Sequence, residues 1–148
     1  MRRRVAGLVV GLCVATALPS VARAGEIVAI VNSDNASSRM TLHQLRLLYG
    51  LYQRTWPGGG RVELLVPEAG SAAMDYLVQM VFRKALELEI DQYYLQAVFQ
   101  QRVARRPLQL SEAEAVARVR EDRNAIALVD RDRVRDPSNL RILGVETD

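Results

Sequence analysis

Two small residues, Gly70 and Ser71, lie between an apolar run that ends at Pro67 and a stretch whose apolar residues have helical spacing. A helix that begins at Ser71 would leave backbone N–H groups pointing outward with a partial positive charge, which favours phosphate, sulfate or carboxylate. Glycine at position 70 would let a ligand approach the backbone closely. Turn and capping chemistry without any ligand is the alternative interpretation of the same residues.

A second polar segment, residues 33–38, follows the first apolar run. Asn32 ends that run, and Ser37 and Ser38 place hydroxyl groups in the loop after it. Ligands of open α/β proteins bind at the carboxyl ends of parallel strands. We therefore predict one ligand site that combines Gly70 and Ser71 with Ser37, Ser38 and Asn32.

The first turn after Ser71 contains residues that disfavour an anion. Ala72 and Ala73 supply no hydroxyl groups, and Asp75 places a carboxylate where it would repel a phosphate. The sequence therefore leaves open whether an anion site at Ser71 is still functional.

A different kind of site, a protein docking surface, is indicated by aromatic and basic residues. Trp56 lies in a Pro-Gly turn, where it either covers the edge of the core or contacts a ligand or partner. Arg102, Arg105 and Arg106 follow a predicted helix. They either complement the dipole of that helix or dock an acidic partner.

Catalytic and metal-binding patterns are not evident in the sequence. His43 is the only histidine, and no serine or cysteine nucleophile has a matching base at a readable spacing. We expect neither an enzyme nor a bound metal or cofactor.

Hydrophobic periodicity predicts alternating strands and helices in one domain, residues 25–148. Continuous apolar runs predict strands at residues 26–32, 61–68, 125–130 and about 140–145. Capping boxes at Thr41 with Gln44 and at Ser111 with Glu114 begin two helices, and two further helices start at Ser71 and near Leu88. The pattern predicts an α/β protein with a mostly parallel or mixed sheet of about four strands flanked by helices.

The N-terminal residues have the organisation of a secretory signal peptide, residues 1–24. Arg2, Arg3 and Arg4 precede an apolar stretch that is short for a membrane span, and Ala24 ends a small-residue cleavage pattern. Four of the 20 basic residues and none of the 17 acidic residues lie in this segment, so the rest of the chain has a net charge of 16 − 17 = −1. We expect a periplasmic protein that does not span the membrane after cleavage and does not bind nucleic acid.

The order of these segments also resembles a known family. The stretches "IVNSDNASSRMTLHQLRLLYGLYQRTWPGGGRVELLVPEAGSAAMDYLVQMVF", "YYLQAVFQQR" and "SEAEAVARVREDRNAIALVD" resemble the small single-lobe members of the phosphate-binding-protein-like family. That family is related to the periplasmic substrate-binding proteins of phosphate ABC importers. The resemblance implies a single lobe of a type II periplasmic-binding-protein-like fold, with Ser71, preceded by Gly70, as the residue that contacts an oxyanion.

Two functions follow as expectations. The first is a solute-binding-like protein that recognises phosphate or another small oxyanion for an ABC importer. The second is an envelope interaction protein on the same scaffold, without a small-molecule ligand, that docks another envelope protein through Trp56 or through Arg102, Arg105 and Arg106.

Overall fold

The structure is a computed structural model that describes residues 25–147, so the predicted signal peptide lies outside the described residues. Within this range six strands form one mixed sheet: β1 Ile27–Asn32, β2 Arg39–Thr41, β3 Glu63–Pro67, β4 Leu108–Leu110, β5 Ala125–Asp130 and β6 Leu140–Glu146. Their order across the sheet is β2-β6-β1-β5-β3-β4. The sequence predicted about four strands because the two outermost strands, β2 and β4, have only three residues each and show no clear periodicity.

Four α-helices connect these strands: α1 Leu42–Tyr49, α2 Ala72–Tyr76, α3 Glu87–Phe99 and α4 Glu112–Glu121. The predicted caps of α1 and α4 are present as capping boxes, and the Ser71 side chain accepts a hydrogen bond from the backbone of Met74 at the start of α2. A π-helical segment, Leu77–Val81, continues α2, and a 3₁₀ turn, Arg131–Arg133, follows β5. No helix within residues 25–147 has the length and apolarity needed to cross a membrane.

The direction of β1 is the main departure from a parallel arrangement. β1 pairs antiparallel with β5 and with β6, whereas β3 pairs parallel with both β4 and β5. The apolar run of β1 is buried on both faces, and that pattern is the same for a covered strand of either direction. The carboxyl end of β1 therefore lies at the opposite end of the sheet from the carboxyl ends of β3 and β5.

The sheet is covered on both faces, which gives three layers. Alternate residues of β1 enter different cores: Ala29 and Val31 pack with α1, α2 and α3, while Val28 and Ile30 pack with α4. Strand side chains point alternately to the two faces, so the unbroken apolar run of β1 supplies both cores at once.

Candidate functional site

Polar groups lie at both ends of the strands of this sheet, and we call these two ends the turn edge and the arginine edge. The turn edge is formed by the carboxyl ends of β3 and β4 and by the turn at Gly70 and Ser71. The arginine edge is formed by the amino ends of β3 and β4 together with residues 54–61 and 102–106. The loop after β1, residues 33–38, also lies at the arginine edge, because Val31 pairs with Ile126 near the start of β5.

At the turn edge, the hydroxyl of Ser71 is used within the chain. Its Oγ accepts a hydrogen bond from the Met74 amide at 3.1 Å and donates one to the Glu68 carbonyl at 2.8 Å. Gly70 has a φ of 73°, a left-handed conformation that favours glycine. Apart from Gly70 and its two chain neighbours, no described residue has an atom within 4 Å of the position that a Gly70 Cβ would take, so the backbone there is open to approach.

A carboxylate already contacts this turn. The Gly70 N–H donates a hydrogen bond to Oε2 of Glu87, the first residue of α3, at 3.2 Å. Glu89, two residues later, accepts hydrogen bonds from the amides of Ala85 and Leu86 at 3.0 Å each, and these bonds lower the pKa of its carboxyl. The first residue of α3 therefore brings an anionic oxygen to the amide of the turn.

A groove lies beside the turn and begins at Glu68. Its other lining residues belong to α4 and to the connection between β5 and β6: Ser111, Glu112, Ala113, Val116, Arg120, Arg133, Arg135 and Asp136. Most of its charges are paired, since Arg133 lies 3.1 Å from Glu112 and Arg120 lies 3.8 Å from Asp136. Arg135 is the arginine of this lining that forms no ion pair within residues 25–147.

The structure does not bring Asn32 to the turn, and it uses the Asn32 side chain inside the fold. Nδ2 donates to the carbonyls of Val119 and Arg120 at 3.0 and 2.9 Å, and Oδ1 accepts from the Asp34 amide at 2.9 Å. The side chain thus supplies donors to two carbonyls in the last turn of α4 and fixes the start of the loop. Asn32 is 6% exposed, so its amide is not available to a ligand.

Ser37 and Ser38 are likewise distant from Ser71, because their loop lies at the arginine edge. Arg141 of β6 fixes the conformation of the loop. Its guanidinium donates to the carbonyls of Ser33, Asn35 and Ser37 at 3.0, 2.7 and 3.2 Å. The predicted combination of five ligand residues is therefore divided between the two edges. Sequence reasoning missed Arg141 because it lies more than 100 positions from the carbonyls that it binds.

Trp56 covers the core, as one of the two interpretations predicted. It is 6% exposed, and its Nε1–H donates to the Asn124 carbonyl at 2.9 Å. The turn around it is closed by hydrogen bonds from Trp56 to Gly60 and from Gly59 to Trp56. A buried indole with a satisfied N–H offers no docking surface, so Trp56 is removed from the candidate docking residues.

The three predicted docking arginines have different environments. Arg102 donates to the Gly50 carbonyl at 3.2 Å and stacks 5.4 Å from the ring centre of Tyr52, which gives it a structural role. Arg106 pairs with Asp91 at 2.7 Å. Arg105 is exposed and lies 3.7 Å from Glu63. Arg54 and Arg61, which the sequence did not indicate, line the same cavity as Arg105 and Arg106.

No group of three or more histidine, cysteine, aspartate or glutamate residues within residues 25–147 has an arrangement that could hold a metal ion.

Comparison with solved structures relates this fold to phosphate-binding proteins. A chain from Clostridium perfringens, described as a phosphate ABC transporter substrate-binding protein with bound phosphate, matches with a TM-score of 0.59 at 19% identity, over 84% of this chain and 45% of the other. The fold is that of one lobe of such a protein. A phosphate transport receptor from Vibrio cholerae gives a TM-score of 0.53 at 15% identity, over 83% of this chain and 46% of the other.

PstS from Borrelia burgdorferi also matches, with a TM-score of 0.59 at 10% identity, over 82% of this chain and 47% of the other. The chain thus spans less than half the length of each of these three structures. No family model and no curated protein matches the sequence. The structural similarity confirms the predicted single-lobe, periplasmic-binding-protein-like α/β fold, and its mixed six-stranded sheet refines the predicted strand count.

Proposed function

We propose that the protein is a periplasmic solute-binding-like module that recognises a small oxyanion, with phosphate as the first candidate, at the turn of Gly70 and Ser71. The observation that carries the proposal is the hydrogen bond from the Gly70 amide to the Glu87 carboxylate. This contact demonstrates that the turn presents a donor to an anionic oxygen. The similarity in fold to a protein with bound phosphate supports the choice of oxyanion.

An entering anion would have to replace Glu87. The Glu87 carboxylate is attached to the chain and has no translational freedom to lose, so a free anion competes with it at a disadvantage. Glu68 and Asp75 add two further negative charges next to the turn, one in the residue that binds the Ser71 hydroxyl and one in the first turn of α2. We therefore expect weak binding to the isolated lobe.

A second wall would strengthen the site. Small-ligand pockets commonly bury about 70–90% of the surface of a ligand, and a turn on one lobe leaves most of a phosphate exposed. In this proposal a second copy of the chain, an ABC importer or another envelope protein supplies the opposite wall. The proposal needs no enzyme chemistry.

The experiment is a thermal unfolding series of the purified protein with phosphate, sulfate and acetate at constant ionic strength. An anion that binds only the folded protein at about 100 times its dissociation constant adds roughly 2.7 kcal/mol of stability. We expect a rise in Tm with one of the oxyanions. The rise should be larger in Glu87→Gln, because the neutral amide competes less well for the Gly70 amide.

Two variants make this test specific. Binding would turn the Ser71 hydroxyl from the Glu68 carbonyl to the oxyanion, so Ser71→Ala, compared with its own ligand-free Tm, should weaken binding by about 1 to 3 kcal/mol, the range for a hydrogen bond to a charged group. Glu121→Gln, which removes one exposed carboxylate at the end of α4, is the control for net charge and should respond like the wild type. Equal responses of wild type, Ser71→Ala and Glu87→Gln would reject the site.

The second candidate function is an envelope interaction protein without a small-molecule ligand. The observation that favours it is that the Ser71 hydroxyl and the Gly70 amide are both satisfied within the chain. Absence of a Tm response to every anion, in the wild type and in Glu87→Gln, would favour this second function.

A further inference from the structure

The arginine edge contains a cationic cavity that the oxyanion proposal does not use. Arg54, Arg61, Arg105 and Arg106 line a cavity of ≈ 210 Å³. Glu63 is the only acidic residue of this lining within the described part of the chain. The lining therefore has four positive charges and one negative charge, although residues 25–148 as a whole have a net charge of −1.

Two of these guanidinium groups are available to a ligand. Arg61 is exposed and forms no ion pair with any residue in the described range. The Arg105 side chain is 82% exposed, and its 3.7 Å separation from Glu63 is that of a loose surface pair. Exposed pairs of this kind contribute little free energy, so a competing carboxylate can replace Glu63.

The wall that carries Arg105 and Arg106 is fixed in position. Arg102 stacks on the rings of Tyr52 and Tyr93 at 5.4 and 5.7 Å and donates to the carbonyl of Gly50, which joins this segment to the end of α1. Arg54 donates to the Arg102 carbonyl from the other side of the cavity. The two arginine-bearing segments are thereby held against each other without a ligand, which reduces the entropy lost on binding.

The lining of the cavity also has an apolar part beside its arginines. Its apolar lining residues are Leu51, Val62, Leu64, Val103, Ala104, Pro107 and Leu108. Leu108, at the start of the outermost strand β4, is 46% exposed. A small inorganic anion would pair with the arginines and leave this apolar surface in contact with water, whereas an apolar side chain between two carboxylates would cover it.

We propose that this cavity binds an acidic segment of a partner protein in which an apolar residue is flanked by carboxylates. The apolar side chain enters the cavity, and the flanking carboxylates pair with Arg61 and Arg105, whose planar guanidinium groups match carboxylates in geometry. This proposal is independent of the oxyanion site, because it concerns the other edge of the sheet and a different class of ligand.

The experiment measures fluorescence anisotropy of a labelled peptide in which a central leucine has two glutamates on each side. We expect saturable binding at physiological salt and a loss of affinity of about tenfold or more in the double variant Arg61→Glu with Arg105→Glu. Both residues are exposed, so the Tm of this variant should stay near that of the wild type. The milder pair Arg61→Gln with Arg105→Gln gives the same test with a smaller change in charge.

Matched controls decide which part of the proposal holds. The double variant Arg83→Glu with Arg118→Glu changes the net charge equally at two exposed arginines outside this cavity and should bind the peptide like the wild type. A peptide with serine in place of leucine should bind more weakly, and tripolyphosphate should displace the leucine peptide only at a large excess. The proposal would be overturned if both double variants lost affinity equally or if the serine peptide bound as well as the leucine peptide. Efficient displacement by tripolyphosphate, or no binding of the leucine peptide at all, would also overturn it.

Discussion

The turn edge and the arginine edge differ in how their charges relate to their geometry. At the turn edge the Gly70 amide donates a hydrogen bond to Glu87, and Glu68 and Asp75 lie close to it in sequence. At the arginine edge Arg61 and Arg105 are exposed at a cavity whose lining also includes apolar residues. The turn edge thus has backbone geometry suited to an anion but unfavourable neighbouring charges. The arginine edge has favourable charges, and these come from side chains.

This difference shows why a fold alone does not identify a ligand. The backbone of the lobe resembles that of phosphate-binding proteins in its overall fold, while the side chains around the turn at Gly70 and Ser71 belong to this sequence. Each edge therefore needs its own test.

The largest effect should come from the buried amide that anchors the loop at the arginine edge. Asn32→Ala removes three hydrogen bonds and leaves two carbonyls of α4 and the Asp34 amide without their partner. Unsatisfied buried groups cost about 1 to 3 kcal/mol each, so we expect the free energy of unfolding to fall by roughly 3 kcal/mol. Urea unfolding measures this change. Ser38→Ala in the same loop is the control and should change it by less than about 0.5 kcal/mol.

A change of under about 1 kcal/mol in Asn32→Ala would show that the amide is dispensable for stability.

The next effect concerns the core between the two edges. The Tyr49 hydroxyl donates to the Leu65 carbonyl and the Tyr94 hydroxyl to the Tyr49 carbonyl, each at 3.0 Å. Burial raises the pKa of both phenols well above the unfolded value of about 10. A raised pKa in the folded state gives stability that is complete below about pH 10 and is lost as the pH rises further.

Between pH 10 and 11 we expect the free energy of unfolding to fall by roughly 1 to 3 kcal/mol, since each fully shifted phenol contributes about 1.4 kcal/mol per pH unit. Urea unfolding at pH 8, 10 and 11 checks this. Tyr94→Phe should reduce the slope by about half. A flat profile to pH 11 would contradict the assignment of both phenols to the core. If the residues at both edges lost their folded structure at the same pH, the two edges would belong to one cooperative unfolding unit.

A smaller effect separates the capping role of Ser71 from ligand binding. Without any anion, Ser71→Ala should lower the free energy of unfolding by about 1 kcal/mol, because the Met74 amide loses its acceptor. Thermal or urea unfolding in anion-poor buffer measures this term. Ser71→Asp restores an acceptor and should recover the stability while repelling an oxyanion. Failure of Ser71→Asp to recover stability would argue against a simple capping role.

The smallest effect should come from the serines that the structure separates from the turn. Ser37→Ala with Ser38→Ala should leave the Tm response to phosphate unchanged, because these residues lie at the arginine edge. A loss equal to that of Ser71→Ala would show that one anion contacts both segments, which would require a conformation different from the one described.

Local patterns predicted much of the fold. The capping boxes at Thr41 and Ser111 and the cap at Ser71 are present because each depends on residues only three positions apart. The direction of β1 was not predictable, since its apolar run has the same pattern in either orientation. That one direction determines whether the two polar segments share an edge.

The candidate site was less predictable than the fold because its decisive contacts link distant residues. Glu87 reaches Gly70 across 17 positions, and Arg141 reaches the loop after β1 across more than 100. Neither partner has a periodicity or a motif that identifies it. The positions of Arg54 and Arg61, on both sides of the Pro-Gly turn, are the one sequence signal that could have extended the arginine cluster.

The most direct test of the central claim is a titration of the ¹⁵N-labelled protein with phosphate, followed through the backbone amide signals of Gly70 and of Ala104 and Arg105. Glu87→Gln and the wild type are compared at constant ionic strength. The account predicts a saturable shift of the Gly70 amide, with tighter binding in Glu87→Gln, and smaller changes at the arginine edge. Saturable shifts at Ala104 and Arg105 with an unmoved Gly70 signal would contradict it.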